Sequence, residues 1–590
     1  MQRTMWKNSF SILCNATFVL VALFVMALPT WAADAEPTGD LRALIQNAVT
    51  AGQARLIIPP GVYRVSPKGD SGAMITVRKA RNLEIVADGV TMLCTKRMRA
   101  LTFEQCENVT LRGLSLDYDP LTFTQGKVVA IADDKGSLDI KIDAGYPQIL
   151  FDRIVICDPK TRFHKYGINH LWGTKASWAE PGTIRITLKD VARNVDLGDP
   201  VALSGGQEMG ACHGITVENK CSNVVFRGVT IHCAPGMGLV DFNNETGIKM
   251  FDCKIVPGPK PAGATEERLL TTSWDGLQCN AARIGAQIEN CVIERCGDDS
   301  WSVPAREFKV VQNDGKTVFL TSPNGTPSDG GLRVGDHLIY RGKTGATTQT
   351  IQTVQNVTKE VDGKTISVIE ATLDQNLPAE VGQYIFNSDC NSKGFIYRNN
   401  HIYSHGRGAL IKVSDGLIEG NTFRGSDKAI MVNPEFGWGG SDRLIIRNNT
   451  ITETGYHQAM PWSEQAGALC LSSSAGGGKL QPPGVFNDIL IENNTFNRVK
   501  GLNLFISSAK NVTIKGNRFL YTHTTDPGRH NGADYGIDAK AIIEVTQSDG
   551  VNFNGNVIVN MGPFAKTAVL VDPSAKNVTN IETGVSVNIK

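Results

Sequence analysis

Thirteen cysteines are scattered through the chain without one Cys-x-x-Cys pair, which excludes the usual structural zinc site. Cys253, Cys291 and Cys296 fall inside β-type apolar runs, where a free thiol packs as a small hydrophobe, so core packing is expected rather than a disulfide framework. An excess of charge of either sign is missing too. The net charge is +1, which argues against a nucleic-acid partner and against a strongly acidic polysaccharide, while a local basic groove is compatible with that balance. Beyond residue 33 no segment approaches the roughly 20 apolar residues that span a bilayer, so no membrane association is expected once the N-terminus is removed. Long apolar helical patterns are few against 60 glycines, which points to turn-rich β structure.

The one long apolar run is at the start. Arg3 and Lys7 precede the run Phe18–Met26, and Leu28–Ala33 ends in small residues. This is the layout of a cleaved export signal, expected over residues 1–33, with a periplasmic or extracellular mature protein. The remaining chain, 34–590, exceeds the size at which a single compact core keeps growing, and so must be multi-domain or an elongated repeat array.

A repeat is present. Segments beginning at Asn108, Asn223, Gly247, Gly285, Gly394, Gly416, Arg443, Asp488, Asn511 and Gly550 share one pattern. Each opens on a turn-forming residue, alternates apolar and polar positions, reaches an Asn, Gly or Cys corner, and continues with another apolar pair. Alternation at period two means strands. Asn and Gly corners suit the left-handed backbone of a tight bend. Asn400 to Asn421 is 21 residues, Asn421 to Asn449 is 28 and Asn494 to Asn517 is 23, the length of one solenoid coil. Leucine-rich repeats share this period, but the chain lacks their Leu-x-x-Leu-x-Leu pattern. The expected fold is all-β: a right-handed parallel β-helix. A short amphipathic helix, Thr38 to Ala51, followed by Leu56–Val65 resembles the cap that closes the solenoid in pectin-degrading β-helix proteins.

The repeat is interrupted twice, between Gly113 and Gly228 and between Cys291 and Asn400. Both gaps hold short alternating strands with Asp-Gly or Asp-Lys-Gly turns, read as small antiparallel β-barrels inserted over 122–207 and 305–385. Leu197-Gly-Asp199 and Val334-Gly-Asp336 suggest one shared design, and such insertions offer surfaces for a homo-oligomer.

Against these coils, two adjacent segments stand out: Thr272–Cys279 and Arg295–Trp301. Asp275 and Asp298 are 23 residues apart, one coil, so they should stack on one face, with Asp299 beside them and a Trp next to each motif, Trp274 and Trp301. Like charges that close raise the pKa of at least one carboxyl group. The result is a protonated acid beside carboxylates, which is the equipment for cleaving a glycosidic bond. Arg407 and Lys412 follow the second insertion and could bind sugar hydroxyls or hold the aspartates ionised. Glu435 and Trp438 occupy a glycine-rich loop suited to a sugar, and His213 is a further residue that could line the site.

Trp274-Asp-Gly276, Gly297-Asp-Asp299, Ser404–Gly408 and Leu410–Val413 resemble the motif series of the polygalacturonase-type β-helix clan. Trp274 stands where that clan has Thr, and Ile411 precedes Lys412 where Arg-Ile is the clan's pattern, so a uronate substrate is not implied. The chain is more similar to glycoside hydrolase family 110, along nearly its whole exported length, including Leu116–Pro120 leading into the first insertion. That resemblance implies inverting release of terminal α-1,3-linked galactose from a glycan, with Asp275, Asp298 and Asp299 as the catalytic trio and neither metal nor cofactor. By analogy with the polygalacturonase clan, Asp298 is the acid, with Asp275 and Asp299 orienting water. The alternatives are a polygalacturonase-like hydrolase, a polysaccharide lyase whose aspartates hold Ca²⁺, and a non-catalytic glycan-binding solenoid.

Overall fold

The computed structural model describes residues 39–588 apart from 70–71, 169–170, 206–211, 323–330, 343–344, 362, 404–405, 435–438, 455–459, 461 and 529–531. The expected export signal lies outside the described residues. Among the described residues, three parallel sheets of 13, 13 and 12 strands wrap a single apolar interior. The chain visits the first, second and third sheet in turn, beginning with Arg55–Ile57, Gly61–Val65 and Ala73–Arg78, and each strand pairs with its counterpart one coil on. This is a right-handed parallel β-helix.

Each coil depends on its neighbours for both burial and hydrogen bonding. In Ile445–Arg447, as in Ile396–Arg398 and Leu417–Glu419 before it, only the central residue points inward to full burial. Between the first and second sheets, Asn400, Asn421, Asn449, Asn494, Asn517 and Asn556 are at most 1% exposed and form a continuous ladder. The Asn449 side-chain oxygen accepts from the Asn421 backbone N–H at 2.9 Å and from its side-chain NH₂ at 3.0 Å, while the Asn449 NH₂ donates to the Ile418 carbonyl at 2.9 Å. The bend itself belongs to the residue before each of these asparagines. Asn399, Gly420, Asn448, Asn493, Gly516 and Gly555 have φ between 54° and 67°. The Asn-Asn and Gly-Asn pairs therefore divide the work, the first residue turning the chain and the second joining the coils.

The helix Leu41–Thr50, capped by the Asp40 carboxylate on the Arg42 N–H at 2.9 Å, closes the first coil. Its Leu41 and Ile45 join the apolar interior beside Ile58, Leu83 and Leu111.

Both interruptions are closed six-stranded antiparallel barrels, with strands lying between Phe123 and Ser204 and between Glu307 and Asn387. Numbering the strands of each from its start, both close in the order 2-5-4-3-6-1. In both, a Gly at φ 87° or 89° precedes an Asp whose carboxylate accepts the backbone N–H three residues earlier: Asp199 from Asp196 at 2.8 Å and Asp336 from Arg333 at 3.0 Å. The shared Leu/Val-Gly-Asp motif is thus one turn used twice. The barrels hang from different corners. The first follows Ser115–Tyr118 of the second sheet and precedes Ile215–Glu218 of the third; the second follows Trp301–Val303 of the third sheet and precedes Ile396–Arg398 of the first.

Asn449→Ala removes four side-chain hydrogen bonds to adjacent coils, with the Asn421 N–H and NH₂, the Ile418 carbonyl and the Asn494 side-chain oxygen. Each buried group left unpaired costs roughly 1–3 kcal/mol. The urea midpoint should fall by an amount equivalent to at least about 2 kcal/mol. An unchanged midpoint would show that the ladder contributes no stability.

Candidate active site

The corner between the second and third sheets carries the acidic cluster. Leu277 lies opposite Trp301, and Thr272 bridges Cys296, so the register brings Asp275 beside Asp299. The Gly276 N–H donates to the Asp299 carbonyl at 2.8 Å in that same register. Asp298 consequently lies next to Trp274, one position off the pairing expected from a 23-residue coil: the strand pairing makes this coil one residue longer than the Asn494-to-Asn517 coil. The three aspartates still converge, with one oxygen from each within 4.8 Å of the others. Asp275 and Asp299 are buried; the Asp298 side chain is 25% exposed.

Two arginines balance this charge. Arg153, on the strand Arg153–Ile156 of the first barrel, is fully buried. It donates to Asp298 Oδ2 at 2.8 Å, to the Gly297 carbonyl at 2.7 Å and to the Ser273 carbonyl. The rings of Trp274 and Trp172 flank its guanidinium, 4.5 and 5.1 Å from their centroids. Only glycine fits at 297, because a Cβ there would lie 2.4 Å from the Ser273 oxygen. Arg407 donates from both its backbone N–H (3.0 Å) and its Nε (2.7 Å) to Asp299 Oδ1. Asp275 has no such ion pair among the described residues. Burial, then the charges of Asp299 and Asp298, push its pKa well above the ordinary aspartate value. The pairings favour negative charge on Asp298 and Asp299, whereas burial beside those charges favours the protonated form of Asp275.

The columns continue past Arg407. Ala409 pairs with Ile430, which sets Arg407 beside Lys428 and Gly406 beside Asp427. Lys428 is 2% exposed and donates to Asp427 Oδ2 at 2.5 Å. Neither Asp427-Lys428 nor Arg153 was among the residues singled out in the sequence. Carrying the Asn400-to-Asn421 spacing over from Gly406-Arg407 leads directly to the first pair. Nothing local in Phe151–Ile156 marks Arg153, whose role depends on how the barrel is seated.

The other sequence candidates separate. Trp274 packs against Arg153. Lys412 follows the far end of the strand Ala409–Ile411 from Arg407, level with Asn433, and is not part of the trio. His213 lies two coils before Asp275, with Met237 between them; its Nδ1 accepts the Met237 N–H at 3.3 Å. Burial, helped by Arg99, lowers its pKa to about 4, leaving it neutral. Trp301 turns into the interior and stacks on Tyr397 at 4.3 Å. Glu435 and Trp438 lie outside the described residues.

Residues 385–583 match the family described as right handed beta helix region. An alpha-1,3-galactosidase B of Bacteroides thetaiotaomicron is 24% identical over 515 residues, 79% of this chain and 77% of that protein. Another alpha-1,3-galactosidase B, of Akkermansia muciniphila, is 21% identical over 82% of this chain, which spans 64% of that relative's length. Among solved structures, the catalytic unit of a GH87 alpha-1,3-glucanase from Streptomyces thermodiastaticus aligns at 12% identity and a TM-score of 0.42, over 94% of this chain and 68% of that one. The chain is a β-helix protein resembling glycoside hydrolase family 110.

Because the folded-state pKa of Asp275 is raised, its protonated form stabilises the fold below the unfolded-state value, and that contribution is lost as pH rises through the folded-state value. Asp275→Asn should therefore melt at a higher temperature than the parent at neutral and alkaline pH, with the gap closing on acidification. A variant less stable than the parent throughout would show that Asp275 is not strained by charge.

Proposed function

We propose that the chain is an exported glycoside hydrolase that releases terminal α-1,3-linked galactose from a glycan. One observation carries the reading: three carboxyl groups within 4.8 Å, two neutralised by arginine and one buried with a raised pKa. A scaffold has no structural need for such crowding, whereas glycosidic cleavage requires a proton donor beside ionised carboxylates. The names of the two relatives supply the sugar and linkage.

In this reading Asp275 gives its proton to the glycosidic oxygen as the bond from that oxygen to the anomeric carbon breaks. Asp298, the most accessible of the three, takes a proton from the water whose oxygen bonds to the same carbon. Asp299, held by Arg407, offers negative charge to the positive anomeric centre. The Arg153 contact is the reason for moving the acid role from Asp298 to Asp275, since a carboxylate bonded to a buried guanidinium resists protonation. The trio is tighter than the roughly 6.5–9.5 Å that an inverting pair leaves for water. Inversion is compatible with it when the water sits beside the carboxylates rather than between two that face each other. A Ca²⁺-dependent lyase is the second reading, because the same three oxygens could converge on a cation. Arg153 and Arg407 disfavour it by supplying two positive charges already.

Asn at 275, 298 or 299 should each slow galactose release from an α-1,3-linked disaccharide by about 10²–10⁴-fold. A chelator should leave the parent's rate unchanged. Full activity in all three variants, or an unsaturated product absorbing in the ultraviolet, contradicts the reading. Proton NMR of the first-formed sugar should show the β-anomer; the α-anomer would mean retention. The rate should fall at high pH as Asp275 loses its proton and at low pH as the other two gain one. Arg153→Met should move the acidic limb to higher pH.

A further inference from the structure

A cavity lies along the same corner. Glu294, which ends the strand leading into the Asp298 corner, pairs with Tyr403, and Tyr403 with Arg424 on the next coil. From Tyr403 onward these coil ends face the first barrel across a groove of about 400 Å³, the size of a small-ligand site. Phe163 of the barrel stands at its near end, edge-on to the Tyr403 ring and with the Arg295 guanidinium 4.5 Å from its own centroid. The groove therefore begins where the aspartate corner ends.

Its lining is cationic and aromatic. Arg424, Arg498 and Lys500 face it, against the carboxylates Asp158 and Glu453. Asp158 uses one oxygen on its own turn, accepting from the Lys160 and Thr161 N–H groups at 3.0 and 2.8 Å and from the Thr161 hydroxyl at 3.1 Å. Its charge, like that of Glu453, also acts on Lys500, so three cations face two carboxylates. Glu453 pairs with Arg424 at 3.1 Å. Two cations lie over tyrosine rings, Lys500 over Tyr166 at 4.9 Å and Arg424 over Tyr403 at 5.2 Å. The half-buried Lys500 ammonium is desolvated, which lowers its pKa and leaves it gaining more from an anion than a surface lysine would. Aromatic faces beside charge-assisted donors suit a sugar ring bearing an acidic group.

We infer that this groove binds an anionic sugar residue, sulfated or carboxylated, through Arg498 and Lys500, and that it holds the part of the glycan remaining beyond the bond cut at the aspartates. The second half rests on the hydrolase reading; the first does not. The chain's near-zero net charge is then a balance of regions, with a basic groove beside an acidic cluster.

The test is calorimetric titration of the full chain with galactose 6-sulfate, galacturonic acid and galactose, in the parent and in the double variant Arg498→Asn, Lys500→Met. Asn suits the φ of 57° at position 498. At least one acidic sugar should bind about tenfold or more tighter than galactose, with a preference that weakens in salt and disappears in the double variant. Which sugar shows it identifies the acidic group. Equal binding of all three, or a preference that survives in the double variant, overturns the inference. Hydrolysis of a small coloured α-galactoside should be the same in both proteins, since neither residue belongs to the aspartate cluster. A chain that binds acidic sugars through these two residues yet cleaves no α-galactoside would remove the hydrolase reading and leave the groove standing.

Discussion

In a parallel β-helix, coil stacks on coil in fixed register, so side chains at equivalent positions are forced together. Most of the molecule turns this to advantage. Asparagines stacked from 400 to 556 bond one another, and apolar residues fill the interior. At one corner the same rule sets Asp275 on Asp299, with Asp298 alongside. Like charges brought together by backbone pairing cannot separate without breaking the sheet, so the strain is absorbed by protonation and by arginine.

The two arginines reach the cluster by different routes. Arg407 belongs to the next coil in the stack, supplied by the solenoid itself. Arg153 arrives from a barrel inserted in the same corner two coils before Asp275, directly ahead of Ile215–Glu218, and its side chain is the more deeply buried of the two. The barrels share a strand order but not a task. The second hangs from the opposite end of the third-sheet strands, where its Asp336 pairs with Arg283 at 2.9 Å. It is the corner at which a barrel is inserted that brings the first one to the chemistry.

What the sequence made legible follows from what is local. Coil length, inward alternation, the corner asparagines and the repeated Gly-Asp turn are all short-range patterns, and each identified an element that the structure contains. The convergence of Asp275, Asp298 and Asp299 was readable because one coil is close to 23 residues; the exact partner was not, because a single residue of coil length decides it. Lys428 was reachable by extending the same count. Arg153 was not, since 120 residues separate it from its contact at Ser273 and only the seating of the barrel joins them. The grouping of Arg498 and Lys500 with Tyr166 was hidden for the same reason.

Everything rests on the three carboxyl groups titrating as one unit. Carbon-13 NMR of the Asp275 carboxyl, followed through pH in the parent and again in Asp298→Asn and Asp299→Asn, measures that directly. Removing either neighbour's charge should bring the Asp275 midpoint down from its raised position toward the ordinary aspartate range. A midpoint that stays where it was in both variants would mean that the aspartates are neighbours without being a cluster.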